Sequence, residues 1–255
     1  MAETHLIAPS VTLRGRAPNV LDKRIPREQH EVVEMRTDVH LLNIHSLGAR
    51  GDQRRERRRA KTRLEILRAA SSVFRARGYA SSGMREIALA ADLSTGNLYR
   101  YFRSKDEILF FCQDGTLDRL GAALQVARKT RGPIGARLRD LAAAHVLCLI
   151  GEVEGSAAHI EEGELPRAMR AAIMKKRDAY ERGVRALIAG GMRRGDLRRG
   201  DATIVTRAFL GALNWTAHWF RPEGPQSAAE IAPVVADYAV SGLTGAGSRI
   251  KGNHT

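Results

Sequence analysis

The chain has 255 residues, a formal net charge of +14, 44% apolar residues, 5% aromatics and two cysteines. Cys112 and Cys148 cannot build a disulfide framework, no apolar run reaches the length of a membrane span, and the N-terminus lacks the apolar core of a secretory signal, so a cytoplasmic protein without a membrane partner is expected. Abundant Ala, Leu, Arg and Glu with few aromatics favour helix over sheet.

The charge is concentrated. Residues 51–105 carry 14 Lys and Arg against 5 Asp and Glu, whereas residues 1–50 carry 7 against 6 and residues 106–255 carry 21 against 17. A basic block of this kind either binds phosphates or forms a solvated, solubilising face.

In chain order, residues 1–53 show no sustained period and read as a flexible extension. From Thr62, Leu64, Ile66, Leu67, Ala70, Val73 and Phe74 recur at helical spacing, and Gly78 is a C-cap. Met84, Ile87, Ala88 and Ala91 mark a short second helix. Asp92, Leu93 and Ser94 make a tight turn, with Ser94 capping a third helix from Thr95 to Phe102. Ser104 and Glu107 have the spacing of a capping box and open a long helix to about Lys129. Gly132 and Pro133 break the chain. Helices are then expected from Ile134 to about Ile150, from Pro166 to about Arg194, from Asp201 to about Phe220, and from Ser227 to about Leu243. Pro233 falls inside the last one, so that helix either kinks or starts later. Residues 151–163 read as a polar connection and residues 246–255 as a flexible tail.

Two short helices joined by a three-residue turn are a helix-turn-helix unit, whose second helix lies in the major groove. Here Leu98 and Phe102 face inward, leaving Thr95, Asn97 and Arg100 outward with hydrogen-bonding groups. The string Phe74-x3-Gly78-Tyr79, Ile87-Ala88, and Leu93-Ser94-x-Gly96-x-Leu98-Tyr99-x-Tyr101-Phe102-x-Ser104-Lys105 resembles the TetR family of repressors. The resemblance implies an all-α protein: a three-helix DNA-binding domain with a basic arm at 54–104, then a helical ligand-binding and dimerisation bundle at 105–245. It also implies a homodimer that binds palindromic double-stranded operator DNA and is released by a small effector. Thr95, Gly96 and Asn97 would stand nearest the bases. Tyr99, Tyr101 and Lys105 would touch phosphates, and Arg85 would reach a base or a phosphate. Gly83 stands where the family usually has a hydroxyl residue, which passes that phosphate contact to Ser82. The run from Arg54 to Lys61, with Arg58 and Lys61 as named contacts, reads either as an arm along the phosphates or minor groove or as a solubilising tail.

Beyond Lys129 no catalytic constellation is legible, and neither an enzyme nor a cofactor is expected. His145 and Cys148 are three apart, and His159, Glu161 and Glu162 form a separate group, so no three or four ligands converge on a metal. No GxSxG, Walker loop or GxGxxG with a following acid is present. The stretch from Gly211 to Pro222 is similar to the TetR subgroup that senses acyl-CoA thioesters. That similarity makes Trp215 and Trp219, four apart on one face, either walls of an apolar ligand cavity or core and dimer-interface anchors. Asn214 and Arg221 would add polar contacts, and Phe110, Phe111 and Leu149 are further cavity candidates. The family also implies that the last two helices pair with their symmetry mates. The rival readings are a DNA-binding module without a ligand and an enzyme with an appended helix-turn-helix.

Overall fold

The computed structural model describes residues 50–151 and 165–244, with side chains from residue 53. The expected flexible tail, the cluster of His159, Glu161 and Glu162, and nearly all of the expected extension and polar connection lie outside the described residues. Among these residues there are eight α-helices: α1 (Arg50–Arg77), α2 (Met84–Ala90), α3 (Thr95–Tyr99), α4 (Lys105–Lys129), α5 (Ile134–Ile150), α6 (Arg167–Arg194), α7 (Ala202–Trp219) and α8 (Ala228–Ser241). The all-α expectation holds, and several helix ends are those expected from the sequence.

Four local expectations change. The basic run, expected to lead into the first helix, is itself helical and forms the first turns of α1, which starts at Arg50. Arg, Glu, Ala and Lys are good helix formers, and once a nucleus exists each added residue contributes a backbone hydrogen bond. The third helix is shorter than expected. Arg100 caps it, and the N–H groups of Tyr101 and Phe102 both donate to Leu98 O (2.9 and 3.1 Å), tightening the exit. Ser104 Oγ accepts from Glu107 N at 3.2 Å, but Glu107 Oε2 reaches back to the N–H of Arg103, at 2.6 Å, instead of closing a box on Ser104. Pro233 lies within α8, whose capping box at Ser227 and Glu230 is complete. Its side chain is exposed there, where water can serve the backbone carbonyl left without a donor.

Two cores divide the fold. The first joins Ile66, Ala70 and Phe74 of α1, Tyr79, Ile87 and Ala88, Leu98 and Phe102, and the start of α4 at Ile108, Leu109 and Cys112. The second joins Leu120, Leu124 and Ala127 of α4 with α5, α6, α7 and α8, and α5 packs most extensively on α8. Helix α4 therefore belongs to both cores, as a rod about 37 Å long at ~1.5 Å per residue. Ile173 of α6 also reaches the first core, while Tyr180, Val184 and Ile188 lie in the second. Lys176 on α6 pairs with Asp114 and, at 2.7 Å, Asp118 on α4, binding the two long helices near the border. Gly78, at φ +76°, ends α1 in a conformation that side chains other than glycine's disfavour.

Candidate functional site

The exposed edge of α3 follows from its pattern. Leu98 is fully buried, and so is Phe102 just beyond the helix. Gly96, Asn97, Tyr99 and Arg100 are exposed and Thr95 is half-buried. Ser94 Oγ accepts from Asn97 N at 3.2 Å, fixing the first turn. Asp92, at φ +54°, turns the chain between α2 and α3, a left-handed conformation that aspartate tolerates better than most side chains. Arg85 is exposed on α2. Arg58 and Lys61 are exposed on α1, where Lys61 lies 3.9 Å from Glu65. These exposed residues are polar or positively charged, and Leu98 and Phe102 give the α3 edge an apolar backing. Tyr101 is half-buried and packs on the first core.

Ser82 and Lys105 have structural partners instead of an open face. Ser82 is buried, and its Oγ donates to Gly78 O at 2.6 Å, so its hydroxyl closes the turn after α1. Lys105 Nζ donates to the carbonyls of Tyr79, Ala80 and Ser82 at 3.0, 3.3 and 3.2 Å and sits 4.4 Å from the centre of the Tyr79 ring. An ammonium has three donors, and all three are engaged. Tyr79 also donates its hydroxyl to Asp106. The turn, Tyr79 and the start of α4 are thus tied together.

A cavity of about 300 Å³ lies in the second core, reaching Gln113, Thr116, His145, Leu149, Arg177, Tyr180, Arg207 and Asn214. It includes Leu149 and Asn214 but not the other five cavity candidates from the sequence. Phe110 and Phe111 instead pack beneath the helix-turn-helix, where Phe111 lies edge-on to Phe102 with ring centres 5.9 Å apart. The Arg63 guanidinium covers Phe102 and Phe111 at 4.8 and 4.6 Å. Trp215 is 62% and Trp219 46% exposed, on the outer side of α7, so they do not wall the cavity. Four residues is slightly more than one helical turn, which keeps both rings on one face, and that face is turned away from the core. Arg221 caps the end of α7, donating to His218 O and Phe220 O at 3.2 and 3.1 Å.

His145 was legible only as half of a weak metal pair. In the fold it is buried between Tyr180 Oη (3.0 Å) and Asn214 Oδ1 (2.9 Å). An amide oxygen only accepts, so Nε2 carries the proton, and Nδ1 accepts from the Tyr180 hydroxyl. Burial lowers its pKa to about 4 despite the Asn214 bond, leaving the imidazole neutral. The same burial pushes the Tyr180 hydroxyl well above its usual range.

On the far side of α7 and α8, Ile204, Trp215, Trp219, Val234 and Tyr238 are exposed large apolar residues. Trp215 stacks on His218 with ring centres 4.4 Å apart. Among the described residues no group of three or more His, Cys, Asp or Glu is placed to hold a metal, and no helix is long and apolar enough to cross a membrane.

Two family models match the chain. One is described as bacterial regulatory proteins, tetR family, and covers residues 66–110. The other is the tetracyclin repressor-like C-terminal domain and covers residues 131–243. The HTH-type transcriptional repressor KstR2 of Mycobacterium tuberculosis is 27% identical over 185 residues, 71% of this chain and 92% of that protein. The TetR family transcriptional regulator PfmR of Thermus thermophilus is 32% identical, with a TM-score of 0.62 over 70% of this chain and 98% of that one. AibR, solved with isovaleryl coenzyme A and operator DNA, is 25% identical, with a TM-score of 0.61 over 72% of this chain and 98% of that one.

Proposed function

This chain belongs to the TetR family of DNA-binding transcriptional regulators, and from that premise we propose that it is a homodimeric repressor released from its operator by a small acyl effector. The observation that carries the reading is the α3 edge. Asn97, Tyr99 and Arg100 are exposed on a short helix whose inner side chain, Leu98, is fully buried. A helix held this rigidly from behind can present side chains to base edges with little ordering cost. Thr95, Gly96 and Asn97 lie at its N-terminal end, the part of a recognition helix nearest the bases. Arg85, Arg58 and Lys61 extend the positive surface towards phosphates.

The apolar outer face of α7 and α8 supports self-association, because Trp215, Trp219, Val234 and Tyr238 would otherwise remain in water. A two-fold dimer would carry two α3 helices to two half-sites of a palindrome. The effector would occupy the cavity lined by Leu149 and Asn214. Acyl thioesters are the class suggested by the similarity of residues 211–222 to acyl-CoA sensors and by AibR, solved with isovaleryl coenzyme A. Such a ligand acts only through its different affinities for the DNA-bound and released arrangements.

The test is selection of duplexes from a random pool by the purified chain, followed by anisotropy titrations with and without acyl thioesters. The expected result is a palindromic consensus bound by two copies and released by a subset of thioesters. Equal binding to every duplex would overturn the DNA reading. A specific duplex that no thioester releases would remove the acyl effector.

A further inference from the structure

We infer that Arg54, Arg57, Arg58 and Lys61 form one phosphate-binding stripe on the first turns of α1, and that duplex DNA of any sequence consolidates this part of the helix. The inference rests on the DNA reading above and deepens it, by assigning a sequence-independent contact and coupling it to local order.

Spacing supplies the stripe. The four residues stand at i, i+3, i+4 and i+7, which is one face of an α-helix, and all four are exposed. From Arg54 to Lys61 the stripe runs about 10 Å at ~1.5 Å per residue. A duplex carries one negative charge per roughly 1.7 Å of its axis, so about six lie along that length. Guanidinium forks match phosphate oxygens in two-point geometry. Glu65, 3.9 Å from Lys61, closes the stripe at its far end. Arg55 and Arg59 belong to a different row, in line with the buried Ile66 further along the helix. Arg63, over Phe102 and Phe111, stands on that side, and Glu107 and Glu56 lie within electrostatic reach of it. Positive charge is therefore least offset along the stripe. Because Phe102 lies just beyond α3, this end of α1 adjoins the end of the recognition helix.

The same charges weaken the helix that aligns them. Residues 50–61 carry seven Lys and Arg against two Asp and Glu, and like charges three or four apart repel. Propensity favours the helix here, but residues 53–59 are exposed on every side. Packing of an apolar face, which gives most protein helices their stability, is thus missing from these turns. The core takes hold further along, at Arg63 and Ile66. A row of phosphates removes the repulsion, so duplex binding and helix order reinforce each other.

Affinity of the full chain for a duplex of scrambled sequence, followed across salt concentrations, tests the stripe with two variants of equal charge. Arg54→Gln with Arg58→Gln should flatten the slope of log affinity against log salt by up to about 1.8, from two contacts at about 0.9 each. Arg55→Gln with Arg59→Gln should flatten it far less. Equal flattening by the two variants, or more by the second, overturns the stripe. Amide hydrogen exchange over residues 53–61 tests the coupling. Protection there should rise at least about tenfold on adding the same duplex and fall again in high salt, while residues 66–74 stay protected throughout. Unchanged protection, or protection by single-stranded RNA and not by the duplex, overturns the coupling. A sequence-specific complex that lacks both effects sinks the inference alone, whereas no complex with any duplex sinks the DNA reading as well.

Discussion

His145 on α5 and Asn214 on α7 lie 69 positions apart in the sequence and meet at 2.9 Å. The residue after Asn214 is Trp215, which faces outward beside Trp219. One turn of α7 is thus fastened to the cavity on one side and supplies the exposed aromatic face on the other. A ligand competing for Asn214 acts directly on the helix that the proposed dimer would share.

The neutral, buried state of His145 sets a pH dependence of stability. Its pKa is about 4 in the fold against about 6.5 in an unfolded chain. Between those values the unfolded chain binds the proton and the folded chain does not, so stability rises with pH in that window. Falling from about pH 6.5 to pH 4 should therefore cost on the order of 3 kcal/mol from this group. Urea unfolding of the parent and of His145→Gln across that range checks it. The parent should show the steeper loss, and parallel curves would mean that His145 titrates normally.

Gly96 separates folding from binding. A Cβ there would meet nothing within 4 Å, and alanine is a better helix former by about 1 kcal/mol. Gly96→Ala should melt at or slightly above the parent temperature and yet bind the selected operator more weakly. Asn97→Ala should leave melting unchanged and lose roughly 1–3 kcal/mol of discrimination at one base pair. Melting curves and anisotropy titrations together decide it. Parent-like binding by both variants would remove α3 from the interface.

The first turns of α1 offer a purely electrostatic test. Arg54, Arg55, Arg57 and Arg58 are exposed, and each phosphate contact contributes about 0.9 to the slope of log affinity against log salt. Replacing these four with Gln should flatten that slope by up to about 3.6, with similar losses on specific and random duplexes and with little change in melting. An unchanged slope would make the run a solvated helix only.

Much of this fold was legible in sequence because the deciding signals are local. Ser94, Ser104, Asp201 and Ser227 each start a helix by accepting backbone N–H groups two or three residues ahead, and Gly78 and Gly195 end two with left-handed backbones. The division of α3 into an inner Leu98 and outer polar residues follows from a period of 3.6. The tertiary structure alone decided which way an apolar helix turns and which polar groups are already engaged. Trp215 and Trp219 share a face by spacing, but whether it meets a cavity or solvent depends on how α7 packs on α5, α6 and α8. The bonds of Lys105 and Ser82 to turn carbonyls emerge only when those carbonyls are placed beside them. His145 gains its role only when Tyr180 and Asn214 arrive from other helices. Helix starts and periods are set by neighbours along the chain, whereas burial and hydrogen-bond partnership are set by groups dozens of residues away, which no local pattern encodes.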